Sequence, residues 1–295
     1  MFNFFKRKKI KAEGQEKDDN TGIQAAGDKT DSDALIGSRN EIKRIIAVIS
    51  GKGGVGKSTV SGLLASGLIM RGYRVGVLDA DITGPSIPKM FGLGGGKMAK
   101  NNYGIMPARS KMGLKIMSLN LFIADETDPV IWRGPRIGSA VGEFYSQVDW
   151  GKLDFLILDM PPGTGDIAIS VLQNISLSGA IVVTTPQDMA FTIVRKAYNM
   201  LVSNQIPIVG IVENLKAGIC PHCQKEFALF TGMGVEQWCS EKQVPYLGGL
   251  PWDSELALCA DQGKMENYYP AHVDRMLDSF ISLSQDLKNA EKLDS

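Results

Sequence analysis

The sequence predicts an α/β fold, a doubly wound and mostly parallel sheet with helices on both faces. Three observations predict it. Short apolar runs recur after Arg44, at 45–50, 74–79, 114–119, 155–159, 180–185 and 208–214. Several are apolar on consecutive positions, the pattern of strands buried on both faces. Between them lie segments of helical spacing, such as 58–70, 137–148 and 189–203.

Residues 1–40 hold little that could form a core. Glu13 to Arg39 is rich in Asp, Lys, Gly and Ser and reads as a disordered tail. Its start, MFNFFKRKKIK, lacks an h-region and a cleavage site, so it is no secretory signal. The short basic patch alone would anchor weakly to a membrane.

The first strand, IIAVIS, runs into GKGGVGKS at 51–58, which matches G-x-x-x-x-G-K-[ST] and opens a helix. Gly51, Gly53, Gly54 and Gly56 let the backbone bend so that N–H groups, including those of Lys52 and Val55, face phosphate oxygens. The helix N-terminus adds partial positive charge. Lys57 is placed for the β- and γ-phosphates, Ser58 for Mg²⁺ and Thr59 for the α-phosphate. A P-loop ATPase domain is therefore expected over 41–290, followed by a tail at 291–295.

The second strand ends in Asp79, within DADITGPSIP. Carboxylates at the C-terminal end of a strand face the crevice where such sheets bind ligands. FLILD at 155–159 ends in Asp159, the Walker B arrangement, in which the carboxylate acts on Mg²⁺ through water. The PPGTGD that follows is glycine-rich and suited to respond to a γ-phosphate. Asp166 closes it, either as a plain N-cap or as a nucleotide sensor. The strand IVGIVEN ends in Asn214, and the last helix, 271–290, sets Val273, Met276, Leu277, Phe280 and Ile281 on one side.

The chain has four cysteines. Cys220 and Cys223 form C-P-H-C, two thiols able to grip one metal centre from a tight turn. Zinc and a four-iron cluster each call for four ligands, so a second C-x-x-C from a two-fold-related copy is the simplest completion. His222 between the thiols keeps structural zinc open. Cys239, beside Trp238, and Cys259, between Leu258 and Ala260 and near Leu256, suit buried small residues.

Lys52, directly after the first glycine, resembles the deviant Walker A class, which includes the MinD and ParA proteins. GKGGVGKST, DADITGPSIP, LDMPPGTGD, VENL and C-P-H-C together resemble the Mrp family within that class. The resemblance covers nearly all of Arg44 to Tyr269 and implies a MinD-like P-loop NTPase fold. It implies slow ATP hydrolysis and an iron–sulfur cluster, 4Fe-4S, bridging the C-x-x-C pairs of a homodimer. It also implies apo-protein clients and a cluster donor. By the same resemblance, Lys52 reaches the partner's nucleotide, Asp81 orients the attacking water and Asp79 is the supporting carboxylate, acting on Mg²⁺ or the loop. Asn214 then binds adenine, and Pro251 and Asp253 lie near the base. The segment LFTGMGVEQWC departs from the family's glycine-rich pattern after the cysteines, and ENLK stands for a more usual ENMS.

Composition excludes other classes. Lys+Arg and Asp+Glu both total 32, so the net charge is zero and no broad nucleic-acid face is expected. No apolar run reaches the ~20 residues that span a bilayer. A cytoplasmic, reducing setting follows, where cysteines rarely form structural disulfides. A spatial switch of the MinD or ParA kind remains the alternative function, with only the basic, Phe-rich start in its favour.

Overall fold

A computed structural model describes residues 35–81, 86–94, 99–118, 141–142, 144–186, 192–220, 222–223, 225–229 and 235–291. The predicted tail up to residue 34, the middle of the DADITGPSIP segment at 82–85, and the 292–295 terminus lie outside them. Residues 35–40 already pack on the body: Gly37 N donates to Tyr103 O at 2.8 Å and Asn40 Nδ2 to Val148 O at 2.8 Å.

In chain order the elements are β1 (Glu41–Ile42), β2 (Ile45–Ser50), α1 (Lys57–Met70), β3 (Val75–Asp79) and the single turn α2 (Ile87–Met90). Next come the short strands β4 (Lys100–Asn101), β5 (Gly104–Ile105) and β6 (Ala108–Arg109), then β7 (Lys115–Ser118) and β8 (Lys152–Leu153). The second half comprises β9 (Phe155–Asp159), α3 (Asp166–Asn174), β10 (Gly179–Thr184), α4 (Thr192–Ser203) and β11 (Ile208–Ile219). It closes with β12 (Glu226–Ala228), α5 (Val235–Lys242), β13 (Tyr246–Trp252), α6 (Ser254–Asp261) and α7 (Ala271–Glu291).

Among the described residues the main sheet has the order β12-β11-β10-β2-β9-β3-β7-β6, with β13 also on β11. All its pairings are parallel except those of β12 and β6 at the edges. Alternate residues of β2 divide between two cores. Ile45, Ala47 and Ile49 join Val171, Leu201 and Trp238 of α3, α4 and α5 on one face. Ile46 and Val48 join Leu63, Leu64, Leu277 and Phe280 of α1 and α7 on the other. Burying both faces of every central strand explains why the strands read as continuous apolar runs. Each large side chain so buried contributes about 1.5–3 kcal/mol.

The helix α7 lies close on α1. A Cβ on Gly67 would come 2.2 Å from Leu277 Cδ1, so only glycine admits this approach. Arg71 fastens the pair, donating from Nε to Tyr269 OH at 3.0 Å and pairing with Asp278 at 2.8 Å. The strand β11 departs from expectation. It does not end at Asn214 but runs on to Ile219, through Leu215 in the left-handed region at φ 58°. Its pairing with β13 is irregular between Asn214 and Gly218, so one strand carries a local bend.

Candidate functional site

The parallel strands end together, and their C-terminal ends gather the polar residues. The loop after β2 delivers α1 through Gly56, whose φ of 82° caps the helix. A Cβ there would strike Asn214 Nδ2 at 2.1 Å. That amide donates to Val55 O at 2.9 Å, tying β11 to the loop. Ser50 Oγ holds Lys52 O at 2.9 Å. Gly51 and Lys52 are part-exposed, and Gly53 and Gly54 are exposed, so this arc of the loop faces solvent.

The first turn of α1 meets β9. Asp159, fully buried, accepts from Lys57 Nζ at 2.8 Å, Ser58 Oγ at 2.6 Å and Ser61 Oγ at 2.7 Å. Thr59 follows, part-exposed. Ser61 escapes the motif, yet it lies one turn beyond Lys57 on the same helix face, the spacing that could have revealed it. Ser58 Oγ and Asp159 Oδ2 form a close pair of hard oxygen donors, the chemistry that suits Mg²⁺.

On the next strand Asp79 is fully buried, and its Oδ1 accepts the Asp81 backbone N–H at 3.0 Å. Burial, with the neighbouring Asp159 carboxylate, pushes Asp79 up to about 8. Asp81 itself is part-exposed at the strand end. The PPGTGD segment packs beneath the loop, with Gly163 N donating to Ser50 O at 3.1 Å. Asp166 is exposed and opens α3 from its first turn, while Gly165 holds the N-cap position that the sequence offered to Asp166.

Asp253 is engaged elsewhere. It caps α6, accepting Glu255 N at 2.8 Å, and its other oxygen accepts Tyr268 OH at 2.7 Å. Pro251 is buried in β13. Asn214 therefore stands at the loop, whereas Asp253 serves a helix end.

The extension of β11 delivers the cysteines. Cys220 follows Ile219 directly, its N–H closes on Lys225 O at 3.0 Å, and β12 returns antiparallel. The thiols thus sit at the tip of a hairpin, Cys220 part-exposed and Cys223 exposed. Backbone N–H groups of Cys223 and His222, followed by the Cys223 side chain, lower the Cys220 thiol. Cys239 is buried as expected, and desolvation pushes it up to about 12. Cys259 is only part-buried, beside the exposed Leu258, so the expected burial holds for Cys239 and not for Cys259. Among the described residues no three metal-ligating side chains converge.

A glycine loop delivering a helix, a lysine on a strand-end aspartate, and a parallel sheet define a P-loop NTPase. The chain belongs to the ParA family in the form described as NUBPL iron-transfer P-loop NTPase, whose model matches residues 41–285. An iron-sulfur cluster carrier protein of Aquifex aeolicus is 43% identical over 83% of this chain and 67% of its own length. The solved structure of a nucleotide-binding protein with ADP from Archaeoglobus fulgidus is 39% identical. It covers 78% of this chain and 90% of that one, with a TM-score of 0.71. The septum site-determining protein MinD from Pyrococcus horikoshii shares the fold at a TM-score of 0.59, covering 86% of this chain and 99% of its own, at 23% identity. No helix among the described residues is long and apolar enough to cross a membrane.

Proposed function

We propose that the chain is an ATP-hydrolysing carrier that holds a four-iron cluster between two copies of itself and passes it to apo-proteins. One observation carries this reading: Cys220 and Cys223 cap a hairpin on the strand whose Asn214 is bonded to the phosphate loop. Relatives named as cluster carriers support it. Each chain offers one close thiol pair, and a four-iron cluster takes four thiolates. Two hairpins related by a two-fold axis supply that number. Exposure at the hairpin tip suits a cargo that must leave.

In the nucleotide site the loop N–H groups and Lys57 bind the phosphates. Ser58 and Asp159 would hold Mg²⁺, which would supply charge neutralisation for the phosphate oxygens. Asp81 orients the attacking water, with Asp79 fixing its backbone. Lys52 reaches the nucleotide of the second copy, and Asn214 takes the base. The cytoplasm suits four cysteines that form no disulfide with one another.

Anaerobic reconstitution of single cysteine variants tests the reading. Cys220→Ala and Cys223→Ala lose bound iron and sulfide, and Cys239→Ala and Cys259→Ala keep them. A cluster lost on changing Cys239, or zinc in place of iron in the wild-type protein, overturns it.

A further inference from the structure

Beside the site, two buried polar atoms have no hydrogen-bond partner among the described residues: Oδ2 of Asp79 and Oγ of Ser118. Both residues are 0% exposed, so bulk water cannot reach them. Unsatisfied buried polar atoms are rare and costly, and two side by side ask for one cause. They are neighbours, since Asp79 on β3 is in register with Ser118 on β7, as it is with Asp159 on β9. Val77, Ile116 and Ile157, two positions earlier on each strand, all point into the core beneath α1. By alternation Asp79, Ser118 and Asp159 therefore face the same way, toward the helix that follows the phosphate loop.

Ser118 ends a strand whose Ile116 and Met117 are both fully buried apolar residues. An alanine would fill its place without leaving a stranded hydroxyl. Asp79 uses one oxygen to hold the Asp81 N–H, and a carboxyl pinned at only one oxygen is free to turn about it.

We propose that one buried water bridges Asp79 Oδ2 and Ser118 Oγ, which makes Ser118 a positioning residue for the Asp79–Asp81 turn. A water bound in a protein interior needs at least two polar partners, and these atoms supply them. Neighbouring strands stand about 4.8 Å apart, a spacing that a water bridge between short side chains can span. With both oxygens engaged, the Asp79 carboxyl keeps the Asp81 backbone in one place. The catalytic consequence rests on the ATPase reading above, whereas the water does not.

Crystal structures of the nucleotide-free wild-type chain and of Ser118→Ala and Ser118→Thr, with ATP turnover and ADP affinity for each, test the proposal. Wild type and Ser118→Thr show a water at hydrogen-bond distance from Asp79 Oδ2 and residue 118. Ser118→Ala lacks it and turns over roughly fivefold more slowly, with ADP affinity unchanged, as expected for an effect on the chemical step alone. Ser118→Thr keeps wild-type turnover because it keeps the hydroxyl. Wild-type density without the water overturns the proposal, as does wild-type turnover in Ser118→Ala. So does a loss shared equally by turnover, affinity and melting temperature, which marks a purely structural serine. If the wild-type chain binds but does not hydrolyse ATP, the ATPase reading fails and the density alone decides for or against the water.

Discussion

Asp159 receives Lys57, Ser58 and Ser61 at once, all from the first two turns of α1. The lysine that the motif assigns to phosphate is thus paired with that carboxylate and only 6% exposed. Removing Lys57 takes away the proposed phosphate contact and the only cation on a buried carboxylate among the described contacts, a costly loss. Asp81 stands differently, part-exposed at a strand end and fixed through its backbone. Lys57→Ala is expected to lose ATP hydrolysis and bind nucleotide weakly. Asp81→Asn is expected to keep ATP affinity and lose turnover by at least about a hundredfold, as for a group acting on the chemical step. Steady-state kinetics with equilibrium binding separates the two; an Asp81→Asn variant with weak binding and full turnover contradicts its role. Lys57 and Ser58 were legible because their motif fixes both spacing and context. Ser61 and Ser118 were not, because a lone serine in a helix or at a strand end matches no pattern.

At the scale of elements, one carboxylate staples the starts of three neighbouring strands. Asp154, just before β9, accepts Arg74 N at 2.9 Å and Arg74 Nη2 at 3.0 Å beside β3, and Lys43 Nζ at 2.8 Å beside β2. The Arg74 guanidinium, with help from Lys43, holds Asp154 well below the usual carboxylate range. A folded pKa below the unfolded one means that the unfolded chain takes up protons first on acidification. The stabilisation is present above pH ~4, the unfolded value, and drains away as the pH falls below it. Asp154→Asn is expected to cost about 1 kcal/mol at neutral pH. In urea titrations its gap from wild type should narrow steadily between about pH 5 and pH 2; a gap independent of pH would show that the staple is not ionic. The central strands were legible since burial on both faces leaves a plain apolar signature. The cysteine hairpin was not: Glu226, Phe227 and Ala228 of β12 are all exposed, so no apolar run marks the returning strand. In β13, YLGGLPW, two glycines and a proline interrupt the run in the same way.

For the whole molecule, the proposed shared cage, with Cys220 and Cys223 from each chain, sets the stoichiometry. The cluster-loaded chain is expected to sediment as a dimer with four irons per two copies, and to fall in mass when a chelator strips the iron. A loaded monomer contradicts the shared cage. The zero net charge puts no strong repulsion between identical copies at neutral pH. The doubly wound architecture was legible from sequence, but the reach of β11 past Asn214 was not, because left-handed Leu215 breaks the strand pattern at that point. That reach has a mechanical meaning. An extended strand is nearly inextensible, so the five residue steps from Leu215 to Cys220 form an arm of roughly 17 Å, at ~3.3 Å per residue. Its base adjoins Asn214, tied to the phosphate loop, its far end carries a thiol, and Leu215 is the swivel. An arm with one swivel converts a small push at its base into a tilt of its far end, so on the carrier reading the thiols would move while the body of the sheet stays still.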